Sequence, residues 1–315
     1  PYQIGFTQKA MKRMTEWYGG DGFLQLIDNC MHVVSAAPGP LAGWVDENTW
    51  QDEFGVRWDR RVDRDIGNVC NCLLPDRNLD KLELPDPRAP HKFAGFAEAC
   101  KAQPDKFVVF EIGFSLFERA WTLRGMANLF VDMVEAPEFV DELLDAICDY
   151  NVALVEQAVQ FDIDAVHFGD DWGSQVGLLM GPHHWRRFLK PRLERQYAAA
   201  KAAGKFVLIH SCGKVQELFG DLIEIGVDCF NPFQPEVMDV YEMKRQWGDR
   251  LSFWGGVSTQ RLLPYGTPAE VRREVRRLIE EVGRGGGYVL APAHAIPGDA
   301  KPENILAMIE EANNQ

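Results

Sequence analysis

From residue 88 onward this chain keeps one rhythm, and that rhythm limits its fold more than any other feature. Six short apolar runs recur: KFVVFEIG (106–113), AVHFGD (165–170), KFVLIHSCG (205–213), DCFNP (228–232), LSFWGG (251–256) and GYVLAPAH (287–294). Between and around them lie amphipathic stretches at 89–102, 115–134, 137–160, 182–203, 214–225, 237–247, 268–283 and 302–313. Short buried strands that alternate with helices predict parallel strands joined by crossover helices. Six strands leave two for the N-terminal third to supply, so the expected architecture is a closed (β/α)8 TIM barrel. An open doubly wound sheet is the alternative, and it is disfavoured because no G-x-G-x-x-G turn follows any strand.

Residues 1–87 break the rhythm. Stretches 7–18 and 22–30 read as short helices. Residues 37–87 are rich in Trp, Pro, Asp and Gly, with a short strand at FGVRWDR. A long excursion on a compact domain is usually a lid or a site loop. The expected organisation is one domain over 1–315, with an irregular extension over 1–87 that covers the barrel rim.

Charge narrows the partners. Lys and Arg number 33 against 47 Asp and Glu, a formal net charge of −14. Such a surface argues against a nucleic-acid groove and against docking on anionic lipid. No apolar run approaches the about 18–20 residues needed to span a bilayer. Seven scattered cysteines do not form a secreted disulfide framework. A reduced, cytoplasmic protein is the expectation. Pro1 in place of an initiator Met leaves room for a short leader.

In a parallel barrel, chemistry sits just past the C-terminal ends of the strands. Those ends carry Glu111, Asp170 and Asp171, His210 and Cys212, Asn231 and Gln234, Gly255, Gly256 and Ser258, and His294. His210 and Cys212 are two apart on one strand end, so they share a side. Gly213 allows a tight turn after them. His294 ends a later strand at the same rim. Three N/S ligands with an open fourth position match a catalytic Zn²⁺ rather than a structural one. The plainer alternative is a packed Cys beside two hydrogen-bonded His. Asp170, Asp171 and Glu111 are the candidate catalytic carboxylates. Asn231, Gln234, Ser258 and Trp172 are the candidate substrate contacts. Cys70 and Cys72 lack further ligands nearby and read as ordinary thiols. His183, His184, Arg186, Arg187, Lys190 and Arg192 read mainly as a solvated helix face, with room for one of the cations to hold an anionic substrate group.

Four segments carry a resemblance: GDDWGSQVGLLMGPHHWRRFLKPRL, KFVLIHSCGKVQELFGDLIEIGVDCFNP, FWGGVSTQRLLPYGTPAEVRREV and GGGYVLAPAHAIPGDAKPENILAM. Together they resemble the uroporphyrinogen-decarboxylase superfamily, which holds heme-pathway decarboxylases and zinc-dependent, corrinoid-linked methyltransferases. In the methyltransferases an H-x-C pair and a late cysteine bind zinc. His210 and Cys212 match that pair, and His294 stands where the late cysteine would be. The resemblance thus implies zinc in a less thiolate-rich site, and methyl transfer from a small donor to a corrinoid or a thiol, with a corrinoid protein as a possible partner and a homo-oligomeric state. Trp44, Trp50 and Trp58 in the excursion also suggest association. The alternative is a metal-free porphyrinogen decarboxylase, with Asp170 or Asp171 on the pyrrole N–H groups and arginines on the carboxylates. The arginine-rich N-terminal motif of the decarboxylases is not found. A binding scaffold without catalysis would show a degraded rim, and this rim is intact.

Overall fold

A computed structural model describes residues 1–314. Seven parallel strands form one sheet: β1 (Met31–Val34), β6 (Phe107–Ile112), β7 (Ala165–Gly169), β8 (Phe206–His210), β9 (Cys229–Phe233), β10 (Ser252–Val257) and β11 (Tyr288–Pro292), adjacent in that order. The intervening β2 (Gly43–Trp44), β3 (Thr49–Gln51), β4 (Arg57–Asp59) and β5 (Asn68–Val69) form a separate antiparallel sheet. The first residues of the chain close the barrel. Leu290 N–H donates to Pro1 O at 3.1 Å, Gln3 N–H donates to Leu290 O at 2.9 Å, and Cys30 N–H donates to Tyr2 O at 3.0 Å. This extended segment lies between β11 and β1 and takes the place of the eighth strand. The fold is therefore a (β/α)8 TIM barrel.

The two strands expected from the N-terminal third are thus residues around Tyr2 and Met31–Val34. Residues 22–30 differ from the expected helix. A 3₁₀ turn spans Asp21–Leu26, and the chain then extends into β1. The reason lies in MHVV, a β-branched run that belongs in the barrel wall. The irregular excursion is accordingly narrower than 1–87 and runs from the end of β1 to about residue 95.

Strand periodicity explains both the core and the rim. Met31, Val109, Ala165, Leu208 and Cys229 form an apolar plug, with Trp254 and Val289 packed against it. Two residues further along, the same faces carry Glu111, His167, His210 and Asn231. Successive inward positions along a strand are two apart, so each strand passes from plug to polar rim in one step. The other strand faces pack outward onto the helices, with Val108, Phe110, Val166, Phe168, Val207 and Ile209 in the main core.

The excursion sheet rests on the β6 side of the rim. Trp58 is buried and meets the Phe114 ring edge-on at 4.9 Å. Beyond the sheet, Leu74 N–H bonds Leu123 O at 3.0 Å, and Arg124 Nη1 donates to Leu74 O and Pro75 O, each at 2.8 Å. No helix among the described residues is long and apolar enough to cross a membrane.

Candidate metal centre and active-site rim

His210, Cys212 and His294 converge. One ligand atom from each lies within 4.8 Å of the others. Cys212 Sγ is 3.4 Å from His210 Nε2, and the His210 and His294 rings meet edge-on at 5.5 Å. Bonds of about 2.0–2.1 Å to nitrogen and about 2.3 Å to sulfur place tetrahedral ligands roughly 3.3–3.7 Å apart. The His210–Cys212 spacing already meets that. His294 is exposed at the mouth and needs only a small side-chain shift.

The surroundings fix the tautomer of His210, a candidate ligand. Asn231 Nδ2 donates to Trp254 O at 3.0 Å, which turns its Oδ1 toward His210 Nδ1 at 2.6 Å. Nδ1 therefore carries the proton, and Nε2 presents its lone pair toward Cys212. Burial pushes His210 down to about 4, only partly offset by Asp171, so the imidazole is neutral near pH 7. Burial and the Asp171 carboxylate push the Cys212 thiol well up. A bound cation would reverse that shift, since it favours the thiolate.

The turn holding Cys212 is built from backbone contacts. Cys212 N–H donates to Asp171 Oδ1 at 2.7 Å, and Gly213 N–H donates to Gln234 Oε1 at 2.7 Å. A Cβ on Gly213, where φ is +92°, would lie 2.4 Å from the carbonyl carbon of Gly173. The loops after β7 and β8 pack main chain against main chain, and both glycines are needed for it.

The paired aspartates divide their work. Asp171 faces the rim, with Oδ1 3.6 Å from His210 Nε2. Asp170 does not, and its expected catalytic role is corrected here. It is fully buried and accepts from Leu116 N at 3.2 Å, Phe117 N at 3.1 Å, Glu118 N at 2.8 Å and Trp172 Nε1 at 2.6 Å. It caps the helix Phe117–Arg124, whose own first residues offer no capping oxygen. Trp172 is corrected with it: the indole is fully buried, donates to Asp170 and packs against Trp185 at 5.3 Å. Asn231 and Gln234, expected to contact substrate, are instead spent on His210 and Gly213. Ser258 accepts from Arg261 N and Leu262 N and donates to Glu236 at 2.5 Å. It borders a different cavity, with Glu236, Arg261 and Glu270.

Glu111 stands where the strand end predicts. Its Oε1 lies 3.2 Å from His167 Nδ1, and that partner holds the carboxylate below its usual range. His167 was missed from sequence. Its ring lies 5.2 Å from Trp254 and 6.2 Å from His210, and its buried Nε2 has no partner among the described residues. Glu118 was also missed. Burial, then Asp171 and Asp170, raise it to about 9, so it holds a proton at neutral pH. The signal for His167 was its inward position two before Gly169. For Glu118 it was an acidic residue in the first turn of a helix that follows a rim strand.

The cations of the helix following β7 are occupied elsewhere. Arg186 and Lys190 pair with Asp221, and Arg187 and Arg192 pair with Asp141. The allowance for an anion site there is therefore withdrawn.

Comparison with known proteins agrees with the barrel fold. The fold of a methyltransferase from Methanosarcina mazei superposes with a TM-score of 0.73 at 18% identity, covering 99% of this chain and 93% of that one. A uroporphyrinogen decarboxylase from Methylococcus capsulatus is 26% identical over 250 residues, 74% of this chain and 67% of the relative. One from Chlorobaculum tepidum is 25% identical over 259 residues, 80% of this chain and 67% of the relative. The family model described as uroporphyrinogen decarboxylase (URO-D) matches residues 63–315, and with most of the barrel inside that match, the chain belongs to the uroporphyrinogen decarboxylase family.

Proposed function

We propose that the chain is a zinc-dependent methyltransferase that moves a methyl group between a small methyl donor and a corrinoid or thiol acceptor, the corrinoid arriving on a partner protein. The observation that carries this reading is the convergence of His210, Cys212 and His294, with one ring nitrogen fixed as a lone-pair donor by Asn231. Zinc at such a site supplies Lewis acidity, lowering a thiol's pKa or polarising an oxygen or nitrogen of the donor. Asp171, beside both His210 and Cys212, orients the turn and offers a displaceable carboxylate at the open position. Glu118, protonated at neutral pH, can give a proton to a leaving group. Glu111 keeps His167 oriented in the same wall.

The relatives' printed names favour porphyrinogen decarboxylation instead. One feature weighs against it: the cations of the helix following β7, which could have held substrate carboxylates, are committed to carboxylates of the same chain.

Metal analysis of the purified protein should give close to one zinc per chain, and Cys212→Ser should lose most of it while staying folded. Wild type should then methylate a corrinoid from at least one of a panel of small donors, and the serine variant should not. Uroporphyrinogen decarboxylated by protein stripped of metal would transfer the chain to the decarboxylase reading.

A further inference from the structure

A cavity of about 250 Å³ lies between the excursion and the ends of β1 and β6. At ~30 Å³ per water the space equals roughly eight waters, the size class of a trimethylated amine with one short substituent. Trp50, Phe54, Phe114 and Tyr150 supply its aromatic sides. Glu111 forms part of its wall and also meets His167, so the cavity adjoins the rim site.

Asp52, Glu53 and Glu111 are the carboxylates of the wall, and the first two are spent. Asp52 Oδ1 accepts from Phe54 N and Val56 N, each at 3.0 Å, and its Oδ2 accepts from Arg119 Nη1 at 2.7 Å. Glu53 Oε2 accepts from Lys92 Nζ at 2.5 Å and from Gly39 N at 2.9 Å, and its Oε1 accepts from Tyr150 OH at 3.1 Å. The cations of these two pairs are hidden: the Arg119 side chain is 8% exposed and that of Lys92 1%. Glu111 differs. Its side chain is 43% exposed, and only its Oε1 has a partner among the described residues, His167 Nδ1. That contact holds the carboxyl below its usual range, so it is ionised at neutral pH. The accessible charge of the cavity is therefore a single carboxylate, and it favours a cation.

The aromatic sides decide which cation. A hard metal ion takes several oxygen ligands, and one free carboxylate does not supply them. A primary ammonium carries three N–H donors, most of which would be left facing rings. A methylated ammonium has few such donors or none, and its charge is spread over methyl groups that pack against aromatic rings. We infer that this cavity binds a small methylated ammonium ion, with its positive charge beside Glu111 and its methyl groups against the aromatic sides. Arg119 lies 3.9 Å over the Phe54 ring, but Asp52 neutralises it, so it does not oppose a second cation at Glu111. That the bound ion is also the methyl donor rests on the methyl-transfer reading; the binding does not.

The probe is choline, titrated calorimetrically into the full chain at fixed ionic strength, with and without added zinc. Saturable one-to-one binding is expected, equal in wild type and Cys212→Ser. Ethanolamine keeps the charge without the methyl groups, and 3,3-dimethylbutan-1-ol keeps the shape without the charge; each should bind at least tenfold more weakly. Glu111→Gln removes the charge at constant shape and should weaken choline at least tenfold. Because Glu111 also holds His167, Trp50→Leu provides a second variant that keeps the carboxylate and should weaken choline several-fold, with thermal melting confirming the fold of each. Choline that fails to saturate, either analogue matching it, or unchanged affinity in Glu111→Gln would overturn the inference. Zinc and methyl transfer without choline binding sinks this inference alone. Choline binding without zinc sinks the proposed function alone.

Discussion

The two arcs of the rim carry their chemistry by different routes. From β8 to β11 each candidate ligand or positioning group lies in a strand or within two residues of its end: His210 closes β8, Cys212 lies two beyond it, Asn231 sits inside β9, and His294 follows β11 by two. On the β1–β6–β7 arc Glu111 and His167 come from strands and Asp171 from two residues beyond β7, whereas Glu118 and Arg119 come from a helix, and Asp52 and Glu53, from the excursion, meet Arg119 and Lys92. The first arc is assembled by barrel periodicity. The second is assembled by tertiary contacts, and its parts must be held in place by buried polar anchors. Stability and chemistry should therefore separate across the rim.

The largest test of that separation is Asp170→Ala. It strips four donors of their acceptor and should cost about 3 kcal/mol or more in urea unfolding. Asp171→Asn, one residue away, should cost under about 1 kcal/mol yet remove most turnover. If Asp170→Ala unfolds like wild type, the helix Phe117–Arg124 does not depend on its cap and the contrast fails. A smaller effect is expected on the other arc. Asn231→Ala leaves the barrel intact but frees the His210 tautomer, and zinc affinity should fall roughly 10–100-fold. Unchanged affinity in a competition assay would mean that His210 is oriented by something else.

The smallest effect concerns acid. Burial would raise Asp132, but Arg124 and Arg77 outweigh it and hold the carboxylate below its ordinary value. A carboxylate with a depressed folded pKa adds stability above the unfolded value of about 3.9 and loses it as pH falls through the folded one. The urea midpoint should therefore drop more between pH 5 and pH 3 in wild type than in Asp132→Asn. Parallel slopes would show that the pair clamping the excursion's end adds nothing pH-dependent.

The same contrast explains what the sequence could reveal. The rhythm after residue 88 disclosed six strands and their order because each buried strand is a compact apolar run. His210 and Cys212 were legible because a period of two puts them on one side. Asp170 and Trp172 misled because HFGDDWG marks a strand end without showing which way the turn rotates. Asn231, Gln234 and Ser258 were placed at the right rim, but their partners are backbone and side-chain groups 21 or more residues away, or a local cap. Glu118 was legible only as an acidic residue in the first turn of a helix after a rim strand, because its protonation depends on burial beside Asp171 and Asp170, which only the folded turn reveals.

The eighth position of the barrel is filled by the first residues of the chain, and Tyr2 bridges to Leu290. The wall therefore cannot be completed during most of synthesis. A ribosome adding about 5–20 residues per second needs roughly a quarter of a minute to a minute to advance from Tyr2 to Leu290. During that interval the opening segment, already beside β1, presents an unpaired edge on its other side, which is open to association with other nascent chains. Contacts of such sequence separation also slow refolding from denaturant.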